Sequence, residues 1–287
     1  MGSTEALSEI RLGAEHVSGC VALSAEANWN QTADDWRTML VLGEGFGLVD
    51  PAGTIVATSL ALPFASGGFG WISMVLVTGA RRRQGLATRV MGLAMQSLAA
   101  QNLTAILDAT PAGREVYRLL GFADTWGIDR MQCLAQPALA AAPHRAIRPM
   151  TDADWPAVCA LDGRGFAADR SALLAALRAR LPAAALVSAS GGRIDGFLLG
   201  RDGRLASQFG PCVADDEQTA IALLAAALGK VRAPVFLDMP APHAALRAWL
   251  GASGFSVQRP YTRMLLNRSQ PYNDVTRLFA IAGPELG

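Results

Sequence analysis

The sequence predicts an α/β (α+β) protein built from two similar domains, each with a mixed, mostly antiparallel sheet flanked by helices. The chain has 287 residues, which is more than most single domains contain. A stretch rich in alanine and proline, residues 136–149, divides it near the middle, as segments between domains often do. Short motifs recur on both sides of this stretch. We therefore predict domains at 1–138 and 145–287.

The recurring motifs keep the same order and spacing in the two halves. They are Leu107-Asp108, Gly121-Phe122 and Arg130-Met131 in the first half, and Leu237-Asp238, Gly254-Phe255 and Arg263-Met264 in the second. In each half the arginine follows the phenylalanine by eight residues. Similarity on this scale indicates a duplicated domain.

Each half also contains the pattern of an antiparallel hairpin, in which two apolar runs flank a turn. The runs are 47–49 and 54–56 in the first half, and 185–187 and 193–194 in the second. Around the hairpin, each half predicts a helical opening and then strand, helix, strand, helix and a last strand. This order predicts a mixed sheet.

Composition excludes several classes of function. A formal net charge of +1 provides little field to hold a nucleic acid, so we predict no nucleic-acid partner. The cysteines and histidines are widely scattered: Cys20, Cys133, Cys159, Cys212, His16, His144 and His243. None stands at metal-ligand spacing, so we expect neither a metal site nor a disulfide framework.

No part of the sequence predicts attachment to a membrane. The first 17 residues have neither a basic start nor an apolar core, and Ala6 stands where a myristoylation signal needs Ser or Thr. The longest apolar runs, such as 220–228, are too short to cross a bilayer. We expect a soluble, cytoplasmic protein.

A strand-to-helix turn carries the chemistry that the sequence shows most clearly. The apolar run 71–77 predicts a strand, the apolar stripe up to Leu98 predicts a helix, and ARRRQG lies between them. A helix N-terminus offers unpaired N–H groups to an anion. Gly85 lets a ligand approach the backbone, and Arg82 or Arg83 can bond phosphate oxygens. Since the nucleoside triphosphate and dinucleotide motifs are absent, another phosphate ligand is expected.

The turn and a second motif resemble the GCN5-related N-acetyltransferase (GNAT) family. The residues Arg82-Arg83-Gln84-Gly85-Leu86-Ala87 match the family signature of Arg or Gln, two residues, Gly, one residue, and Gly or Ala. Tyr117 stands four residues before Gly121-Phe122, as the family tyrosine does. The resemblance covers residues 9–133 and extends to a tandem subgroup with a divergent second acetyltransferase-like domain.

The resemblance implies acetyl-CoA as cosubstrate, with its pyrophosphate on this turn. It assigns the following cofactor-binding residues: Val75, Leu76, Val77, Arg82, Arg83, Gln84, Gly85, Leu86, Ala87 and Thr88. The main chain of the first three would hold the pantetheine and the acetyl carbonyl. Tyr117 would be the catalytic proton donor to the sulfur; its alternative is a buried aromatic on a helix face.

The sequence offers alternatives for the general base and for the acceptor site. Many relatives carry a glutamate on the central strand, but the run 71–77 offers only Ser73 as a polar side chain. Asp108 could act through water, or it could cap the following turn. The substrate-binding candidates are Trp29, Asn30, Gln31 and Trp36, where the family's acceptor-covering helices are expected. Both tryptophans could instead be core residues.

The second half has lost both motifs. Asp215-Asp216-Glu217 replace the arginines, and carboxylates at a helix start favour the helix dipole but repel phosphate. The residues before Gly254-Phe255 include no tyrosine. We therefore predict an N-acetyltransferase for a small-molecule amine with its active site in the first half, and a homodimer as its candidate assembly. The alternative is a non-catalytic acyl-CoA-binding sensor.

Overall fold

The computed structural model describes residues 6–287, so the part of the N-terminal targeting prediction that depends on residues 1–5 lies outside the described residues. The helices are α1 Val17–Glu26, α2 Ala33–Leu42, α3 Leu86–Ala100, α4 Pro111–Leu119, α5 Trp155–Phe166, α6 Ser171–Arg180, α7 Glu217–Leu228 and α8 Ala244–Ala252. The strands are β1 Ser8–Leu12, β2 Glu44–Val49, β3 Ile55–Phe64, β4 Phe69–Val77, β5 Thr104–Ala109, β6 Phe122–Cys133, β7 Ile147–Pro149, β8 Leu186–Ser190, β9 Arg193–Arg201, β10 Ser207–Ala214, β11 Val235–Pro240, β12 Ser256–Leu266 and β13 Leu278–Ala280. The predicted α/β class with mostly antiparallel pairing is confirmed.

The chain forms two compact units. The N-terminal unit ends at Leu107 and includes Leu286, and the C-terminal unit comprises Asp108–Glu285 and Gly287. This division differs from the one predicted between residues 138 and 145. The reason is that α4 and β6 precede the alanine- and proline-rich stretch in sequence but fold with the second half.

The N-terminal unit is built on strands in the order β1-β2-β3-β4-β5. Its first four strands pair antiparallel, as the hairpin pattern predicts, and β4 and β5 pair parallel. Helix α3 packs on this sheet through Leu86 and Val90, which join Leu48, Val56 and Ala57 in one buried cluster. This burial fixes the start of α3 relative to the end of β4.

The C-terminal unit is built on strands in the order β12-β6-β11-β10-β9-β8-β7, with β13 also paired to β10. The hairpin β8–β9 is antiparallel, as predicted, and β10 and β11 are parallel. Helix α7 contributes most of its residues to a large buried cluster on this sheet, including Ile221 and Leu224. That burial explains why the short apolar run there is a core helix.

The two repeats exchange strands within the C-terminal unit. Strand β6 of the first repeat pairs antiparallel with β11 on one side and with β12 on the other, both of the second repeat. The repeated Asp and Arg residues follow this exchange. The Nε and Nη2 atoms of Arg130 donate to Asp238 at 2.7 Å, and the same two atoms of Arg263 donate to Asp108 at 2.8 Å. Each aspartate thus pairs with the arginine of the other repeat.

A search of the described residues for membrane spans finds no helix that is both long and apolar enough to cross a bilayer.

Candidate active site

Strand β4 carries a bulge in the middle of the predicted cofactor-binding run. Thr58 pairs with Leu76 and Leu60 with Ser73, so Met74 and Val75 lie together opposite one residue of β3. Met74 has a φ of +51°, and the Thr58 hydroxyl donates to its carbonyl at 2.8 Å. A bulge leaves ladder groups unpaired and turns the strand. No sequence pattern predicts a left-handed methionine.

The bulge lies where β4 and β5 separate. The two strands pair at Phe69, Gly70 and Trp71 of β4, and in the described part of the chain the pairing stops there. Beyond it, the β5-facing main chain of residues 74–77 is free of sheet pairing. Val75 and Val77 are half-buried, whereas Leu76 is buried. The opening between the strands can therefore take an extended ligand that hydrogen-bonds as a strand does.

The turn after β4 is shaped by two left-handed residues. A short 3₁₀ segment, Gly79–Arg81, leads to Arg83 with a φ of +61° and Gly85 with a φ of +76°. Gly85 is the N-cap residue before α3, and a Cβ placed there would meet no atom within 4 Å. The space beside Gly85 is thus open, and its backbone conformation favours glycine.

The start of the turn is held by a residue that the sequence analysis did not single out. The carboxylate of Glu26, at the end of α1, accepts the Gly79 N–H at 2.5 Å and the Thr78 hydroxyl at 3.2 Å. These two bonds, with the Arg82 charge nearby, hold the pKa of Glu26 below its usual range. No spacing rule links Glu26 to a turn so distant in sequence, so only the fold reveals this contact.

The start of α3 offers hydrogen-bond donors to an anion. No side chain caps this helix, and its first turn contains no acidic residue. Arg89 bonds Glu9 at 2.7 Å, but Arg82, Arg83 and Gln84 are exposed on the turn. The N–H groups of a first helical turn have no partner within the helix. The combination of free donors, an open glycine and exposed cations suits a phosphate group.

Both roles predicted for Asp108 are wrong. Its carboxylate is fully buried and bound by Arg263, so it neither faces water nor caps the next helix. Thr110 caps α4 instead, because its hydroxyl accepts the Gly113 N–H at 3.2 Å. The ion pair arises from the strand exchange, which sequence spacing does not reveal.

Helix α4 carries Tyr117, which is half-buried and packs on Phe122 with ring centroids 6.1 Å apart. Desolvation by burial raises the pKa of Tyr117 to about 12. The helix is tied to β6 by Arg114 and Arg118, which both bond Asp124. These bonds, chiefly the one from Arg114, lower the pKa of Asp124 to about 2. The stabilisation that the ionised Asp124 gives to the contact between α4 and β6 is therefore lost only as the pH falls from about 4 towards 2.

The four substrate-binding candidates, Trp29, Asn30, Gln31 and Trp36, lie in two different environments. Trp36 is fully buried, and its indole N–H donates to the Ser24 hydroxyl at 2.9 Å. Of the two alternatives for this residue, the structure therefore has the core residue. Trp29 is half-buried, and Asn30 and Gln31 are buried. The carbonyl oxygen of Gln31 has no hydrogen-bond partner among the described residues, and the same holds for the Ser73 hydroxyl. Buried acceptors without partners are costly, so both atoms are candidates for a hydrogen bond to a ligand.

The corresponding turn of the second half is closed to anions. Asp216 caps α7 by accepting the Thr219 N–H at 2.7 Å, which agrees with the prediction that the acids of this turn favour the helix start. Asp215 is held by Arg193 and Arg277 at 2.6 and 2.5 Å. These carboxylates occupy the place that a phosphate would need.

In the described residues no cluster of three or more His, Cys, Asp or Glu side chains is arranged to hold a metal.

Sequence comparison finds matches to acetyltransferase families in both halves. Residues 14–122 match the acetyltransferase (GNAT) family, and residues 158–280 match an acetyltransferase (GNAT) domain. The chain is also 24% identical over 279 residues to YitH of Bacillus subtilis, named as an uncharacterized N-acetyltransferase, with 97% of this chain and 98% of that protein covered.

Comparison with solved structures finds the same fold over the whole chain. A candidate acetyltransferase from Pyrococcus horikoshii has a TM-score of 0.80 at 18% identity, covering 100% of this chain and 98% of the other. A GCN5-related N-acetyltransferase from Sphaerobacter thermophilus has a TM-score of 0.66 at 14% identity, covering 95% and 98%. A tandem GNAT protein of the clavulanic acid pathway has a TM-score of 0.63 at 15% identity, covering 93% and 100%.

Proposed function

Because the chain belongs to the GNAT family and is of its tandem type, we propose that it transfers an acetyl group from acetyl-CoA to an amine of a small-molecule acceptor. The proposed site is in the first half. The observation that carries this is the turn at Gly85, where open backbone, free N–H groups and exposed arginines come together. The second half has acids at the same place.

The residues of β4 and the turn fit the proposed cosubstrate. Arg82, Arg83 and the N–H groups at the start of α3 would hold the pyrophosphate, with Gln84, Gly85, Leu86, Ala87 and Thr88 forming its cradle. On the side that faces β5, where the sheet pairing has ended, the main chain of Val75, Leu76 and Val77 would bond the pantetheine amides and orient the carbonyl. Acetyl-CoA supplies the activated acetyl thioester; the protein supplies position and proton transfer.

Tyr117 is the proposed acid, since the family resemblance assigns it to the leaving sulfur. With a pKa of about 12, its hydroxyl keeps its proton through the neutral and moderately alkaline range. A thiol has an ordinary pKa of about 8.5, so complete proton transfer from Tyr117 to the thiolate would be uphill. The Tyr117 hydroxyl would instead stabilise the leaving thiolate by donating a hydrogen bond to the sulfur as the C–S bond breaks.

Replacing Tyr117 by Phe is expected to lower kcat by about 100-fold, within the range for loss of a general acid. The Kd for acetyl-CoA should hardly change, because the phenyl ring keeps its packing on Phe122. Steady-state rates of thiol release and calorimetric Kd values measure the two effects. Tyr272→Phe serves as the control on another tyrosine. Full activity in Tyr117→Phe would reassign the residue to packing.

The acceptor site is proposed at Trp29, Asn30 and Gln31, with Ser73 on β4. The unpartnered Gln31 carbonyl and Ser73 hydroxyl can accept N–H groups of an amine. Half-buried Trp29 offers an apolar wall. Trp36, predicted with this group, is better placed to support the patch from the core.

Gln31→Leu is expected to raise the acceptor KM by about tenfold, the effect of losing one hydrogen bond of about 1.4 kcal/mol. The Kd for acetyl-CoA should stay the same. Initial rates against acceptor concentration give the KM. Gln101→Leu, at the exposed end of α3, is the matched control. An unchanged acceptor KM in Gln31→Leu would remove this residue from the site.

A non-catalytic acyl-CoA-binding sensor is the second candidate function. The observation that favours it is the lack of a base: many relatives carry a glutamate on the central strand, but residues 71–77 of β4 offer only Ser73 as a polar side chain, and Asp108 is held in an ion pair. Binding of acetyl-CoA without thiol release for any amine would support the sensor. The cytoplasmic location and the homodimer stay predictions.

A further inference from the structure

A segment of the C-terminal unit lies in the opening between two of its own strands. Strands β10 and β11 pair parallel over three registers, from Ser207 with Val235 to Phe209 with Leu237. Past Phe209, β10 pairs antiparallel with β13 instead. This segment, residues 277–282, is called the plug below.

The plug hydrogen-bonds to both strands that flank it. On the β10 side, the Ala214 N–H donates to the Arg277 carbonyl at 3.1 Å, next to the ladder of β13 with β10. On the β11 side, the Ile281 N–H donates to the Asp238 carbonyl at 3.0 Å. The plug therefore satisfies main-chain groups on each side of the opening.

The same opening exists in the N-terminal unit, where β4 and β5 also pair parallel over three registers and then separate. Under the proposed function, that opening holds the pantetheine arm, whose amides bond a strand as a peptide does. We infer that the plug occupies the second repeat's counterpart of the acyl-CoA cleft and excludes acyl-CoA from it, so that each chain binds one acyl-CoA. The inference rests on the proposed function for the location of the first cleft.

A single glycine permits the plug to approach β10. Gly210 lies at the bulge of this strand with a φ of +139°, and a Cβ there would be 1.9 Å from the Ile281 carbonyl oxygen. No side chain tolerates such a contact, so any other residue would displace the plug. The bulge of β4 has Met74 with a full side chain. The difference between the two repeats is thus built into their sequences.

Side chains on both flanks hold the plug in place. Leu278, Phe279 and Ile281 are at most 2% exposed. The Nε2 atom of His243 lies 2.8 Å from the Leu278 carbonyl oxygen and 3.0 Å from the Val275 carbonyl oxygen. The His243 ring also packs on the Phe279 ring, with the ring centroids 4.3 Å apart. Since carbonyl oxygens only accept, Nε2 is the donor.

The residues after the plug are anchored by buried charges. Arg201 pairs with Glu285, and both side chains are buried. Arg170 donates to the Gly287 carbonyl at 2.6 Å while it is paired with Asp162. Anchors on this scale indicate a permanent structural element and not a lid that opens for a ligand.

Binding stoichiometry and hydrogen exchange on the full chain test the inference. We expect wild type to bind one acetyl-CoA, Gly85→Glu to bind none, and the amides of 278–281 to exchange slowly with or without acetyl-CoA. Two acetyl-CoA per chain, or binding in Gly85→Glu that accelerates exchange at 278–281, would overturn the inference while leaving the first site intact. No binding in wild type would instead refute the proposed function and, with it, the inference of one acyl-CoA per chain.

A second pair of variants tests the plug without any ligand. Gly210→Ala should displace the plug, so exchange at 278–281 should rise by more than about tenfold and the urea midpoint should fall. Gly254→Ala is the control, because Gly254 also has a positive φ, +85°, but no atom within 4 Å of a Cβ. If Gly210→Ala exchanges at 278–281 like Gly254→Ala, the plug does not need glycine at position 210, and the argument that the sequence of the second repeat builds in the plug fails.

Discussion

Gly85→Glu is expected to abolish acetyl-CoA binding, with a loss in affinity of more than about 100-fold. The added carboxylate would lie at the start of α3, in the open space beside a left-handed glycine. There it would repel the pyrophosphate and compete for the same N–H groups. Charge-assisted hydrogen bonds are worth about 1.5–3 kcal/mol each, so losing two is enough for this effect. Calorimetric titration measures the change directly.

Two further variants at this position separate charge from backbone strain. Gly85→Ala adds the strain of a left-handed residue without charge, and Gly85→Asn adds a neutral side chain that tolerates this conformation. Both should bind acetyl-CoA within about tenfold of wild type. The urea midpoint of each variant shows whether it is folded. Unchanged binding in a folded Gly85→Glu would mean that the turn is not the pyrophosphate site.

Breaking either of the exchanged ion pairs should destabilise the protein strongly. Asp108→Ala leaves the Arg263 charge buried, and Asp238→Ala does the same to Arg130. Removing one partner of a buried pair costs about 3–5 kcal/mol. We expect each variant to lose this much in the free energy of unfolding, measured by urea denaturation.

The ion pair of Asp202 with Arg180 offers the control for this prediction, because its aspartate is exposed to water although Arg180 is only 13% exposed. Asp202 is 58% exposed in its side chain, and surface pairs contribute about 0–1 kcal/mol. Asp202→Ala should therefore leave the urea midpoint almost unchanged. If Asp108→Ala and Asp238→Ala behaved like Asp202→Ala, the exchanged pairs would not hold the two repeats together.

The strand exchange also explains the limits of what the sequence could predict. The two hairpins and the turn at Gly85 depend on residues that are close in sequence, and the structure contains each of them at the predicted position. For Asp108 the sequence offers a base acting through water or a helix cap, because no local pattern links it to Arg263 in the other repeat. The structure pairs each aspartate with the arginine of the other repeat.

The candidate site shows the same division between local and distant signals. The glycine, the arginines and the acids of the second turn could be predicted from helix-terminus chemistry. The contact of Glu26 with Gly79 depends on how α1 packs and has no sequence signature. The plug was not predicted, because a three-residue apolar strand such as β13 is too short to give a periodic pattern.

The most direct measurement is calorimetric titration of acetyl-CoA into the full chain, followed by assay of thiol release with a panel of small-molecule amines. The account predicts one binding site per chain and thiol release with at least one amine, both lost in Gly85→Glu. An absence of acetyl-CoA binding to the folded wild-type protein would contradict the central claim.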